Sequence, residues 1–222
     1  MLTKNNFIGY EVEEPIPGLF IIKNFLSDSQ QKTLLDYVKS LSQDDWEHEY
    51  RENLKKFCLI KFGTDDVERL VKDGKFEVTD NWSDKNFHLV NSGTPIIQKI
   101  CLSLTKTINS FLPKEIEIRG PGTAQRQYAG VPLAAHYDQY TDPSIVYAAI
   151  IYLNDDYIDG ELFFPNKNFE IKPPVKSLVI FPGTEEFTHG VKAPGEGPIR
   201  YVLPSFISKN MEEFYNNGKY YV

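Results

Sequence analysis

Between residues 144 and 207 short apolar runs alternate with turn residues. Residues 144–153 form a near-continuous apolar run that stops at Asn154-Asp155-Asp156, and Asp159-Gly160 precedes a second run over 161–164. Further runs follow at 169–171, at 177–181 before Pro182-Gly183, at 188–191 and at 200–207. Runs of this length bounded by Gly, Pro and Asn predict strands, and so many at this spacing predict an all-β sandwich or barrel. The first half carries a strand signal at 17–22 and then helical ones. Ser27 stands three residues before Gln30, the capping-box pattern that starts a helix, with Leu34, Leu35, Val38 and Leu41 as the apolar stripe behind it. After Thr94-Pro95, the residues Ile97, Ile100, Cys101, Leu104, Ile108 and Phe111 recur at three- and four-residue steps and predict a second helix. Both helices are expected to pack on one face of the barrel. Residues 44–93 keep no sustained period, and read either as an edge extension or as a hairpin or lid over substrate.

One constellation in the second half bears chemistry. His136 and Asp138 flank Tyr137, and His189 and Arg200 follow far along the chain. With 4 His in 222 residues, a His-x-Asp arises by chance in about one such chain in four, so the pair alone is weak. Context strengthens it. A strand through 132–138 turns His136 and Asp138 to the same side, with only the small Ala134 before them. Two imidazoles and one carboxylate are the ligand set that leaves half of an octahedral iron open, and a downstream arginine can hold an acid beside it. His48 and His88 lie outside any such spacing and read as surface or hydrogen-bonded histidines. The pairs Asp155-Asp156 and Glu185-Glu186 read most simply as solvated turns.

Composition narrows the class without selecting it. A chain of 222 residues with 41% apolar and 14% aromatic positions fills one core, so one domain over 1–222 is expected: 1–121 as scaffold and possible lid, 122–208 as the core, 209–222 as a C-terminal extension. No basic-then-apolar leader and no apolar run of membrane-spanning length is present, so a soluble, cytoplasmic protein with no membrane partner is expected. Cys58 and Cys101 are far apart and read as free thiols. The net charge of −7 argues against a broad nucleic-acid surface.

Several stretches then match one family as they stand: Gln127-Tyr128-Ala129-Gly130 ahead of His136-Tyr137-Asp138, Ile151-Tyr152-Leu153-Asn154 followed by Gly160-Glu161-Leu162, residues 177–183, His189-Gly190-Val191, and Arg200-Tyr201. On these residues, 122–208 resembles the catalytic core of iron(II)/2-oxoglutarate dioxygenases, in particular the prolyl 4-hydroxylase-like branch. The resemblance implies a mainly β fold with flanking helices around a double-stranded β-helix of jelly-roll or cupin type. It implies Fe(II) on His136, Asp138 and His189, and the distal carboxylate of 2-oxoglutarate on Arg200 with Tyr152 beside it. Tyr128 is expected near the metal-proximal end of the cosubstrate, and Leu162 as an apolar pocket residue. The hypoxia-sensing members place a threonine four residues after the arginine. This chain has Pro204 there, so the contact is lost or passes to Ser205.

The implied activity is hydroxylation of a C–H bond with O2, releasing succinate and CO2, with ascorbate as an accessory reductant. Repair dioxygenases that act on alkylated nucleic acid carry a second arginine six residues after the first. Phe206 occupies that position, where sensor-type prolyl hydroxylases place an aromatic against the substrate. Peptidyl-proline 4-hydroxylation, with a proline-containing peptide or protein as partner and no nucleic acid, is therefore the expectation. The alternatives are the same chemistry on a free amino acid, another small molecule or a nucleic acid, or a non-catalytic metal-binding barrel.

Overall fold

A computed structural model describes residues 1–42, 46–48, 57–60, 95–118 and 124–209. The larger of its two antiparallel sheets runs in the order β1 (Val12–Ile16), β2 (Leu19–Ile22), β11 (Leu178–Pro182), β8 (Ile145–Tyr152), β13 (Arg200–Lys209), β6 (Gln125–Gln127), β4 (Phe57–Ile60) and β3 (Trp46–His48). Strand β5 (Ile116–Ile118) also pairs with β13. The smaller sheet has the order β10 (Phe169–Ile171), β9 (Leu162–Phe164), β12 (His189–Val191) and β7 (Leu133–His136). Among the described residues two sheets and two helices, α1 (Asp28–Ser40) and α2 (Pro95–Phe111), make the expected jelly-roll architecture.

The two-residue period of the strands sorts the apolar residues into two cores. On the large sheet, Phe20, Ile22, Ala149, Ile151, Leu178, Ile180, Leu203 and Ile207 face outward and meet the helices, which contribute Leu34, Val38, Ile97, Cys101, Leu104, Ile108 and Phe111. Their neighbours Leu19, Ile21, Ala148, Tyr152, Val179, Phe181 and Val202 face inward and meet Leu162, Phe164 and Val191 of the small sheet. The outer core holds the helices in place, and the inner core is the floor of the space between the sheets.

Local chemistry explains the boundaries. The capping box forms as the sequence predicts: Gln30 N donates to Ser27 Oγ at 3.2 Å, and Ser27 N donates to Gln30 Oε1 at 3.0 Å. Strand β1, a hairpin partner of β2 through the Pro17-Gly18 turn, lies at the sheet edge, where Pro15 is tolerated. Pro204 sits inside the long strand β13, at the place where β13 changes partner from β6, paired through Val202, to β5, paired from Ile207. Of residues 44–93, the described part is the pair β3 and β4, which extends the large sheet beyond β6. That is the edge-extension reading; a lid in the remainder, and His88 with it, falls outside the described residues. Cys101 is a free, buried thiol, pushed up to about 12 by burial.

Candidate active site

His189 opens β12 and pairs across the small sheet with His136, the last residue of β7. Their rings are 4.6 Å apart between centroids. Asp138 Oδ1 is 3.7 Å from His136 Nε2, and one ligand atom from each of the three residues lies within 4.8 Å of the others. The sequence reading of one unbroken strand over 132–138 needs correcting. Strand β7 carries a bulge, with the four residues from Leu133 to His136 opposite the three from His189 to Val191, so that Leu133 rather than Ala134 shares the inner face with His136. The strand ends at His136; Tyr137 remains extended and Asp138 opens a 3-10 turn. The extended Tyr137 is enough to bring the carboxylate to the side of the imidazole.

The cluster is oriented by backbone. His136 Nδ1 lies 2.9 Å from the Ala134 carbonyl, and His189 Nδ1 lies 3.1 Å from the Phe187 carbonyl. A carbonyl only accepts, so both Nδ1 atoms carry the proton and both Nε2 lone pairs are left for a metal. Burial lowers the His189 pKa to about 3, with His136 acting in the same direction, so this imidazole is neutral at physiological pH. Burial raises the Asp138 carboxyl to about 6, His136 opposing, and its Oδ2 is buried with no hydrogen-bond partner among the described residues. A buried carboxylate oxygen without a donor is costly unless a cation meets it. Two imidazoles that present Nε2 and an unsatisfied carboxylate on one face suit Fe(II). Glu185 and Glu186 do not orient His189 through their side chains. The Phe187 carbonyl does so, from the end of the turn they form.

Gly190 is required by the strand approach rather than by its φ. A Cβ there would lie 2.6 Å from the Leu133 carbonyl oxygen and 2.6 Å from a Phe163 ring carbon. Gly190→Ala must push β12 away from β7 and so separate His189 from His136. The expected result is a stability loss of about 1–3 kcal/mol by thermal denaturation, together with weakened Fe(II) binding. Unchanged melting and unchanged metal affinity would show that the two strands have slack.

Arg200 is 1% exposed and faces the inner core from the start of β13. Its Nη1 donates to Gln127 Oε1 at 3.3 Å and its Nη2 donates to the Tyr152 hydroxyl at 3.2 Å, while Nε has no partner among the described residues. The guanidinium lies 5.1 Å from the Tyr152 ring centroid and 5.8 Å from that of Tyr157. No described carboxylate pairs with it. A fully buried guanidinium held by neutral acceptors alone is a site for an anion.

The other expected residues distribute unevenly. Tyr152 and Leu162 are fully buried in the inner core. Phe206 is 43% exposed and shares the face of β13 that carries Arg200. Tyr128 is half-buried against Val131 and Leu133 and borders the outer core, with the Arg126 guanidinium 5.2 Å from its ring. Ser205 is a correction. It pairs with Ala149 and, one residue out of phase with Arg200 and Pro204, faces the outer core, so it is not turned toward the guanidinium. Sequence reasoning gave no role to Gln127, fully buried and donating to the Val131 carbonyl at 2.5 Å as well as accepting from Arg200. It also overlooked Tyr157. A glutamine within a polar strand and a tyrosine within an acidic turn carry no periodic signal.

The sequence model described as the 2OG-Fe(II) oxygenase superfamily matches residues 123–208. No curated protein matches the chain. Among solved structures, a prolyl hydroxylase from Trichoplax adhaerens in complex with a hypoxia inducible factor oxygen degradation domain peptide is similar with a TM-score of 0.62 and 18% identity, over 91% of this chain and 88% of that one. A 2OG-Fe(II) oxygenase family oxidoreductase from Burkholderia pseudomallei gives 0.57 and 12%, over 86% and 84%. A prolyl-4-hydroxylase from Pseudomonas putida gives 0.55 and 16%, over 86% and 92%. At these identities the likenesses show the fold.

Proposed function

With residues 123–208 belonging to the 2OG-Fe(II) oxygenase superfamily, we propose that this enzyme hydroxylates a proline, at C4, within an extended peptide or protein segment. The reaction consumes 2-oxoglutarate and O2 and yields succinate and CO2. The observation that carries the cosubstrate reading is Arg200, buried and charged with no carboxylate beside it among the described residues. Its planar fork suits a carboxylate in two charge-assisted bonds, which fix the keto acid's direction. His136, Asp138 and His189 would hold the iron, which would supply the oxidising chemistry when bound. Leu162, Tyr152 and Val202 wall the cosubstrate's chain from water, and Gln127 holds the guanidinium in place.

The substrate reading rests on the mouth. Phe206, exposed on the face of β13 that leads from Arg200, offers a flat apolar surface suited to a pyrrolidine ring, and it stands where a nucleic-acid enzyme of this kind carries a second arginine. The Trichoplax relative holds a peptide, and the Pseudomonas one is a prolyl-4-hydroxylase. The net charge of −7 also disfavours a phosphate backbone. A library of proline-containing peptides incubated with enzyme, Fe(II), 2-oxoglutarate and ascorbate is expected to yield products one oxygen heavier, with the oxygen on proline by fragment mass spectrometry. Turnover confined to methylated nucleic acid or free amino acids would overturn the substrate.

A further inference from the structure

We propose that Tyr157 is a further cosubstrate-binding residue, whose hydroxyl donates a hydrogen bond to the carboxylate held by Arg200. This rests on the cosubstrate reading above and adds to it a residue outside the motif that led there.

Tyr157 lies in the segment between β8 and β9 and is 1% exposed. Its ring is fixed on several sides. The Lys172 ammonium stands 4.6 Å from the ring centroid and donates to the Tyr157 carbonyl, and a Cβ on Gly160 would approach the ring to 3.2 Å. The Arg200 guanidinium is 5.8 Å from the same centroid. The hydroxyl at the end of this immobilised ring is buried beside the Arg200 guanidinium, and among the described residues no acceptor takes its proton. It is near enough to Arg200 for the guanidinium to favour its ionised form, but burial outweighs that and holds it as a phenol, a donor.

Counting donors and acceptors around Arg200 identifies the missing ligand. The Gln127 oxygen and the Tyr152 oxygen are both taken by the guanidinium. Five donors remain: the Tyr152 proton, the Tyr157 proton, the Arg200 Nε–H and the second N–H of each of Arg200 Nη1 and Nη2. A phenol with no acceptor loses its bonds to water on folding, so phenylalanine at 157 is the more stable choice in the unliganded protein. A carboxylate, which only accepts and is anionic, satisfies the surplus. The neighbouring strand leaves room for this role, because Pro204, on the same face as Arg200, has no donor to offer where related enzymes have a threonine.

The test is calorimetric titration of 2-oxoglutarate into the unsubstituted protein and into Tyr157→Phe, each loaded with Mn(II), beside 2-oxobutyrate, which keeps the keto-acid head but lacks the distal carboxylate. Tyr157→Phe should lose about tenfold in 2-oxoglutarate affinity, with Mn(II) and 2-oxobutyrate affinities unchanged and an unliganded melting temperature equal or higher. Equal 2-oxoglutarate affinity in the two proteins overturns the role of Tyr157 and leaves the cosubstrate reading standing. A lowered melting temperature with parallel losses of Mn(II) and 2-oxoglutarate affinity makes the hydroxyl structural and overturns it too. Failure of the unsubstituted protein to bind 2-oxoglutarate overturns both.

Discussion

Asp138→Ala is expected to abolish tight Fe(II) binding and succinate production while leaving the fold intact. The carboxylate is the one anionic ligand of the cluster, and its Oδ2 has no partner among the described residues to lose. The unliganded variant should in fact be more stable than the unsubstituted protein at neutral pH. Asp138 is raised from 3.8 to about 6 by burial, so ionising it opposes folding by about 3 kcal/mol. That penalty is absent below pH about 4, where the carboxyl is protonated folded and unfolded alike. It grows as pH rises from about 4 to about 6, where only the unfolded form is ionised, and is constant above, where both forms are. Chemical denaturation of both proteins across this range, beside a metal titration, checks both halves. Near-normal Fe(II) affinity in Asp138→Ala would place the metal elsewhere. His48→Ala and His88→Ala should leave metal binding unaltered.

Arg200→Ala should cost about 2–5 kcal/mol of 2-oxoglutarate binding, a loss of at least about thirtyfold, with Fe(II) affinity nearly unchanged. The magnitude follows from burial, since an exposed pair would contribute less than about 1 kcal/mol. Part of the loss is the cost of leaving the carboxylate beside Tyr152 and Gln127 without its charge partner. Arg200→Lys should recover the charge but not the fork, and so fall between the two. Titration of 2-oxoglutarate into the metal-loaded variants measures this directly. Unaltered dependence on 2-oxoglutarate in Arg200→Ala would remove the cosubstrate assignment.

What could be read before the structure was whatever repeats along the chain. Strand β8 announces itself as an apolar run and α2 as a three- and four-residue stripe, because burying a strand on both faces or a helix on one leaves that period in the residue order. Strands β1, β5 and β6 left none. The first contains Pro15 and two glutamates at an edge, the second is three residues long, and the third is Gln125-Arg126-Gln127, buried through polar contacts rather than apolar ones. The ligand set was legible because its chemistry is restricted to few residue types in a fixed order. Its orientation was not, since the Ala134 and Phe187 carbonyls that set the two imidazoles belong to the backbone, which every residue shares. Ser205 was misplaced for a simple geometric reason. Moving a hydrogen bond one residue along a strand moves it to the other face, and the outer core lies there.

The most direct test of the central claim is whether the purified chain converts 2-oxoglutarate to succinate when given Fe(II) and O2, measured with and without a proline-rich peptide. The account predicts iron-dependent succinate formation, increased by the peptide and abolished in Asp138→Ala. No succinate under any of these conditions from a folded protein that binds iron would contradict it.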